Sequence, residues 1–383
     1  MTVTYPEGFV AAGIAAGIKS SGNKDLALVR NLGPLNAAAA VFTSNRSQAN
    51  PVLWSREVIK DGQVSAIVLN SGGANCFTGA QGFQATHSTA EAVGSALETS
   101  SSDVLVCSTG LIGDQLPIDK ILSGVTALAT ALHRDGGQDA AEAIMTTDSV
   151  SKTVTRDGAG YRIGGMAKGA GMLAPGLATM LVVITTDAVL MADQLDQALR
   201  AATRVSFDRL DSDGCMSTND QVTLMASGSS GTEPALADFT ALLTDVCIDL
   251  ATQLQRDAEG ASHDITITVT EAATEADAVE VGRSIARNNL FQAAVFGNDP
   301  NWGRVLAAIG TTAAEFDPYH VDVYMNGVRV CTAGGPDRPR DEVDITPRAL
   351  QLDIVLHVGD ASATIYTNDL THDYVHQNSA YSS

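Results

Sequence analysis

Charged side chains are scarce in this sequence, at 17 % of 383 residues, and aromatic ones are scarcer, at 5 %. A chain so poor in rings packs with small residues. Its 35 glycines and plentiful alanine suit close backbone approach, as in layered sheets and helices. Positive charge is short too: 23 Lys and Arg stand against 44 Asp and Glu, a formal net charge of −21. Such a surface repels phosphate backbones and argues against nucleic acid as a partner, while mildly favouring a cationic small substrate. The five cysteines, Cys76, Cys107, Cys215, Cys247 and Cys331, are odd in number, scattered and without a CxxC pair. That pattern argues against a disulfide framework or zinc site and for reduced thiols in a cytoplasmic protein. The start MTVTYPEGFV has no basic stretch leading into an apolar run, so no secretory signal is expected. Apolar runs such as Met180–Ile184 are strand-sized, so no membrane span is expected. No Gly-x-x-x-x-Gly-Lys-Ser/Thr is present, and GGMAKGAG (164–171) does not follow the dinucleotide pattern, so a Rossmann fold is not expected.

What is present is a mixture of strand-like and helix-like segments. Ala37–Phe42, Ser65–Leu69, Val104–Cys107 and above all Thr179–Thr186 (TMLVVITT) have strand composition, and Asp264–Thr270 alternates as an antiparallel strand. Apolar residues recur at helical spacing in Thr86–Leu97, Ile118–His133, Ala192–Val205, Ala235–Leu254 and Glu275–Arg287, and the final third is mostly strand. The expected class is α/β, an α+β layered sandwich. Arg162–Gly171 (RIGGMAKGAG) reads as the most glycine-dense loop of the chain. No repeat, low-complexity tract or clear linker divides the sequence.

The segment that follows this loop carries unusual chemistry. A lone Lys168 is followed by Pro175, then by Ala178 and a Thr179 that opens the apolar run. If the 178–179 peptide is held strained, the Thr179 hydroxyl can attack the Ala178 carbonyl and form an ester, which water then opens. The freed α-amine, with a reference pKa of about 8, sits beside its own hydroxyl as a base. Ala178 leaves room for that attack. The plainer reading is a structural threonine at a strand edge.

MAKGAGMLAPGLATML (166–181) resembles the self-processing site of the ornithine acetyltransferase family. NSGGANCFTG (70–79), CSTGLIGD (107–114), AIMTTD (143–148), DRLDSDGCMSTND (208–220), GNDPNWGRVLAAIG (297–310) and DLTHDYVHQNSAYSS (369–383) resemble its other motifs, in family order and across nearly the whole chain. The resemblance implies an N-terminal-threonine-nucleophile fold, cut between Ala178 and Thr179 into residues 1–178 and 179–383. It implies Thr179 as nucleophile, and Thr109 with Gly110 as the oxyanion hole, where preorganised donors meet a tetrahedral O⁻. Thr146, Lys168, Thr179, Glu259, Asn378 and Ser383 are the implied substrate contacts. The tail residues Asn378 and Ser383 reach the substrate in the same protomer or a neighbouring one.

Each contact also has a plain reading. Ser108-Thr109-Gly110 is then a turn, Thr146 a helix cap, Lys168 a solvated surface lysine, and Glu259 a solvent-facing acid before a Gly260 cap. Thr147 stands beside Thr146 as a substitute. The turn-rich 298–304 loop is given no role, and Trp302 in it reads as a packing anchor only. His372 and His376, without an acid or cysteine partner, are read as tail residues, so no metal is expected, and no cofactor.

The activity implied is transfer of acetyl from N²-acetylornithine to glutamate through acetyl-Thr179, in arginine biosynthesis, by two copies of each cleaved chain as a heterotetramer. The resemblance leaves open acetyl-CoA as a further donor. Two other readings compete: a self-cleaving amidohydrolase or aminopeptidase, and a non-catalytic binding protein.

Overall fold

The computed structural model describes residues 2–174 and 180–380. Its β-branched and alanine-rich runs pair into two sheets that face each other. The first holds β1 (Phe9–Ile14), β2 (Leu26–Asn31), β4 (Ala66–Asn70) and β5 (Val104–Ser108), in the order β1-β2-β4-β5. The second holds β3 (Ala37–Phe42), β6 (Lys152–Asp157), β7 (Arg162–Lys168), β8 (Leu181–Thr186) and β9 (Gln221–Ala226), in the order β3-β9-β8-β7-β6. Only β4 with β5 and β8 with β9 run parallel within them, so neither is a doubly wound nucleotide-binding sheet.

Side-chain alternation sorts the layers. Ile67, Leu69, Leu105 and Cys107 of the first sheet meet Met166, Leu181, Val183 and Met225 of the second in one core. The alternate residues Val68, Val104 and Val106 pack against α2 (Gly79–Leu97) and α3 (Ile118–Ala131). On the far side Val182, Ile184, Val222 and Leu224 pack under α5 (Ala192–Arg204) and α6 (Leu236–Arg256). The result is a four-layer helix–sheet–sheet–helix sandwich. Strands sealed on both faces explain why β8 and β9 are continuously buried. Two short helices complete it. α1 (Asn50–Val58) covers the edge of β5, where the Ser55 hydroxyl donates to Val106 O at 2.8 Å, and α4 (Gly137–Ala143) packs on β1.

A further sheet has its own core. It joins β10 (Asp264–Ala272), β11 (Asp322–Met325), β12 (Val328–Thr332), β13 (Gly335–Pro336), β14 (Ala349–Val355) and β15 (Ala361–Asn368), in the order β13-β12-β11-β14-β10-β15. α7 (Glu275–Ala286), α8 (Asn289–Phe296) and α9 (Trp302–Ile309) pack against it. β10 is antiparallel to β15, as its alternation suggests, and parallel to β14. Trp302 opens α9 and packs on this core. α10 (His372–Ala380) then leads the chain away from β15.

The glycine-dense stretch is the main departure from expectation. Residues 162–168 are strand β7, not loop, paired with β6 and β8. The glycines serve closeness, not flexibility: a Cβ on Gly164 would sit 2.1 Å from Thr2 O, and one on Gly165 would touch Val154 and Leu250 at 3.1 and 3.2 Å. α2 also starts at Gly79, well ahead of the expected Thr86.

Candidate active site

The loop after β5 is fixed by backbone pairing. Thr109 N donates to Asn70 O at 3.0 Å, and Gly73 N donates to Thr109 O at 3.0 Å. The Asn219 amide ties this loop down from the other sheet, donating to Ser108 O at 2.7 Å and Ala74 O at 2.6 Å. Gly110 has φ +128, and a Cβ there would lie 2.8 Å from Gly73 N. Both the backbone conformation and the crowding therefore demand glycine.

Lys168 ends β7 and points inward. It is 1 % exposed, with Nζ 3.4 Å from Thr109 Oγ1 and 4.0 Å from Asp148 Oδ2. The plain reading of a solvated surface lysine therefore fails: the expected glycine loop is strand β7, paired on both sides, and it holds Lys168 buried. Burial lowers its pKa against the pull of Asp148, and neighbouring Lys152 lowers it further. Asp148 carries the balancing charge. Its Oδ1 accepts from Lys152 Nζ at 2.6 Å and from Gly169 N at 2.6 Å, and its Oδ2 accepts from Thr146 N at 2.9 Å. Burial works to raise the Asp148 pKa, but the Lys168 and Lys152 ammoniums and the Thr146 N–H hold it at about 2. Lys152 is fully buried and also pairs with Asp257 at the end of α6. Nothing local in the sequence marks Asp148, Lys152 and Asp257 as one network; only the fold joins them.

Glu259 follows α6 and is half-buried. Its N–H donates to Ala170 O at 2.9 Å, its Oε1 accepts from the Thr147 hydroxyl at 2.7 Å, and its Oε2 accepts from Asn378 Nδ2 at 3.0 Å. α10 therefore returns the tail to this chain's own cavity. A Cβ on Gly171 would lie 2.7 Å from the same carboxylate, so the loop passes close against the Glu259 side chain. Thr147, the less favoured of the two threonines, makes the contact with Glu259; Thr146 binds Asp148 instead.

Thr109, Gly110, Thr146, Lys168, Glu259 and Asn378 line one cavity of about 90 Å³, completed by Thr147, Gly171 and Met172. Such a volume, well below the ~300 Å³ and more of drug-sized sites, suits a small molecule. Ala178, Thr179 and Ser383 lie outside the described residues, as does the expected division between 178 and 179. The first described residue beyond it, Met180, lies against Asp220: Met180 N donates to Asp220 Oδ1 at 3.2 Å, and Leu181 pairs with Lys168 across the sheet. The 208–220 motif also grips the preceding loop. Asp213 accepts from the backbone of Met172 and Leu173, and Ser212 N donates to Leu173 O at 2.6 Å. The 298–304 loop contributes nothing to the lining.

A layered α/β enzyme with a small, charged cavity is the class that this architecture defines. A family model described as ArgJ family matches residues 10–383. An arginine biosynthesis bifunctional protein ArgJ from Streptomyces coelicolor is 62 % identical over 385 residues, covering 100 % of both chains. Its counterpart from Thermobifida fusca is 59 % identical over 383 residues, again with 100 % of both covered. Among solved structures, an ornithine acetyltransferase from Mycobacterium tuberculosis, complexed with ornithine, is 54 % identical with a TM-score of 0.44, covering 47 % of this chain and 96 % of that one. The chain belongs to the ArgJ family and is an acetyltransferase of arginine biosynthesis.

Proposed function

We propose that this acetyltransferase moves acetyl from N²-acetylornithine to glutamate through an ester on Thr179, after cutting itself between Ala178 and Thr179 into residues 1–178 and 179–383. The observation that carries this reading is the convergence of Thr109, Gly110, Lys168, Glu259 and Asn378 on one small cavity beside the start of β8. In turnover the Thr179 α-amine takes the proton of its own hydroxyl, and Oγ attacks the acetyl carbonyl. The developing O⁻ meets the Thr109 hydroxyl and the Gly110 N–H. Thr109 accepts from Lys168 Nζ, at 3.4 Å, which leaves its proton free for the oxyanion and strengthens the donor. Lys168 also attracts the substrate carboxylate, while Glu259, oriented by Thr147 and Asn378, takes the ornithine amine. Ornithine leaves, glutamate enters, and the acetyl passes to its nitrogen. Water must be kept out between the two halves, or the ester is lost to hydrolysis.

Two copies of each cleaved chain form a heterotetramer in the cytoplasm, and acetyl-CoA is a further candidate donor. Among the described residues no helix is long and apolar enough to cross a membrane. Thr179→Ala is expected to run as one full-length band on a denaturing gel where the native protein gives two. Mixed with N²-acetylornithine and glutamate, the native protein yields N-acetylglutamate. Release of acetate at full rate without glutamate would replace transferase by hydrolase, and an uncut native chain would remove the self-processing step.

A further inference from the structure

Glu259 is oriented by two side chains that sit on weakly held chain. Thr147 lies in a turn, and Asn378 lies near the far end of α10, a helix of 9 residues with none of its side chains buried. A helix shorter than about 12 residues does not persist on its own, and α10 has no apolar face to hold it down. Its place must be set at its root, where the chain leaves β15. That root is Asp369, the first residue of the 369–383 motif, and its side chain is buried. Both carboxylate oxygens are spent on the far end of the loop that carries Glu259. Oδ1 accepts from Ser262 N and His263 N, both at 2.9 Å, and Oδ2 accepts from the Ser262 hydroxyl and lies 2.8 Å from His263 Nδ1. The buried His263 ring continues to Ile345 O, 3.0 Å from Nε2.

A second tie follows two residues on. Thr371 Oγ1 donates to Gly260 O at 2.6 Å and accepts from Tyr374 N at 2.9 Å, at the start of α10. The fit is close: a Cβ on Gly260 would lie 2.2 Å from Tyr374 N. The residue next to Glu259 therefore lies directly against the first turn of the helix that carries Asn378. Neither Asp369 nor Thr371 lines the cavity of Thr109, Lys168 and Glu259.

We infer that Asp369 is a positioning residue for the amine end of the substrate: it joins the 259–263 loop to the root of α10 and so sets Glu259 and Asn378 against each other. The inference rests on the reading of Glu259 as the acid that takes the ornithine amine. With the tie loosened, α10 undocks, Asn378 leaves Glu259 Oε2, and the carboxylate loses its fixed direction. The effect falls on one half of the exchange. N²-acetylornithine carries the amine that Glu259 meets, whereas glutamate carries a carboxylate at that end and gains nothing from Glu259.

Asp369→Asn keeps the side-chain shape and one acceptor oxygen but loses the charge and the second acceptor. In a ping-pong exchange, kcat/KM for each substrate reports its own half-reaction. For this variant kcat/KM for N²-acetylornithine is expected to fall about tenfold while that for glutamate stays within about twofold. Equal falls for both substrates, the mark of a merely structural loss, overturn the inference, and so does no fall. Coupling to Glu259 gives a second reading. Added to Glu259→Gln, Asp369→Asn should lower kcat/KM for N²-acetylornithine no further; falls that multiply overturn the inference. Should Asp369→Asn fail to fold, Thr371→Val cuts the second tie and is expected to show the same asymmetry, with Thr371→Ser restoring native values; a symmetric loss there overturns the inference. If Glu259→Gln alone leaves kcat/KM for N²-acetylornithine unchanged, the assignment of Glu259 fails instead.

Discussion

Replacing Lys152 with methionine removes the centre of the buried charge network without changing side-chain length much. Lys152 is unexposed, donates to Asp148 at 2.6 Å and pairs with Asp257, so it joins β6, the 146–148 turn and the end of α6. Removing one partner of a buried ion pair costs about 3–5 kcal/mol, because the charge left behind stays buried. At about 2 °C per kcal/mol for a chain of this size, the melting temperature drops by about 6–10 °C. The catalytic effect follows from the same geometry. Asp148 Oδ2, at 4.0 Å from Lys168 Nζ, loses its nearer ammonium and draws Lys168 towards itself, away from Thr109 Oγ1. Because Thr109 remains but loses its polarising partner, kcat falls about tenfold, less than the 10²–10³ expected for deleting an oxyanion donor. Differential scanning fluorimetry and acetyl-transfer assays read the two effects separately. A melting shift below about 2 °C would show that Lys152 contributes little net stability. An unchanged kcat would refute the link from Asp148 through Lys168 to Thr109. Asp257→Asn added to the variant should recover part of the stability, since it removes one of the stranded charges.

Gly110→Ala places a Cβ 2.8 Å from Gly73 N at a φ of +128, so it should displace the oxyanion loop and lower kcat by about 10²-fold with a smaller change in KM. Glu259→Gln retains an oxygen for Thr147 but loses the charge for the ornithine amine; KM for N²-acetylornithine rises at least about tenfold while self-cutting is unaffected, as kinetics and a gel will report. Acid stability follows from Asp148, whose folded pKa of about 2 lies below its ordinary 3.8. The unfolded chain therefore binds more protons as pH falls below that ordinary value, and roughly 2 kcal/mol of stability is lost progressively from about pH 4 to pH 2. Urea titrations across that window should show the slope, and Asp148→Asn should flatten it.

The sheets were legible where burial on both faces leaves an unbroken β-branched run, as in Leu181–Thr186, or where one face leaves alternation, as in β10. β7 was not, because glycine gives the same local signal whether it is needed for freedom or for room. At Gly164 the reason is the backbone of Thr2, 162 positions away in sequence and visible only once the chain has folded. The same limit governs the site. The family motifs named Thr109, Lys168, Glu259 and Asn378, yet the environment of Lys168 depended on β7 being a strand, and that followed from the glycines. Reading the glycines as loop therefore made Lys168 a solvated cation; reading them as close packing turns it into a buried one that must have a counter-charge. Asp148 supplies that charge, Lys152 neutralises the remainder, and Asp257 completes the set. A short polar motif such as Thr146-Thr147-Asp148 thus divides its work by geometry: Thr147 turns to Glu259, Asp148 turns to the lysines, and Thr146 fixes the turn between them through its N–H.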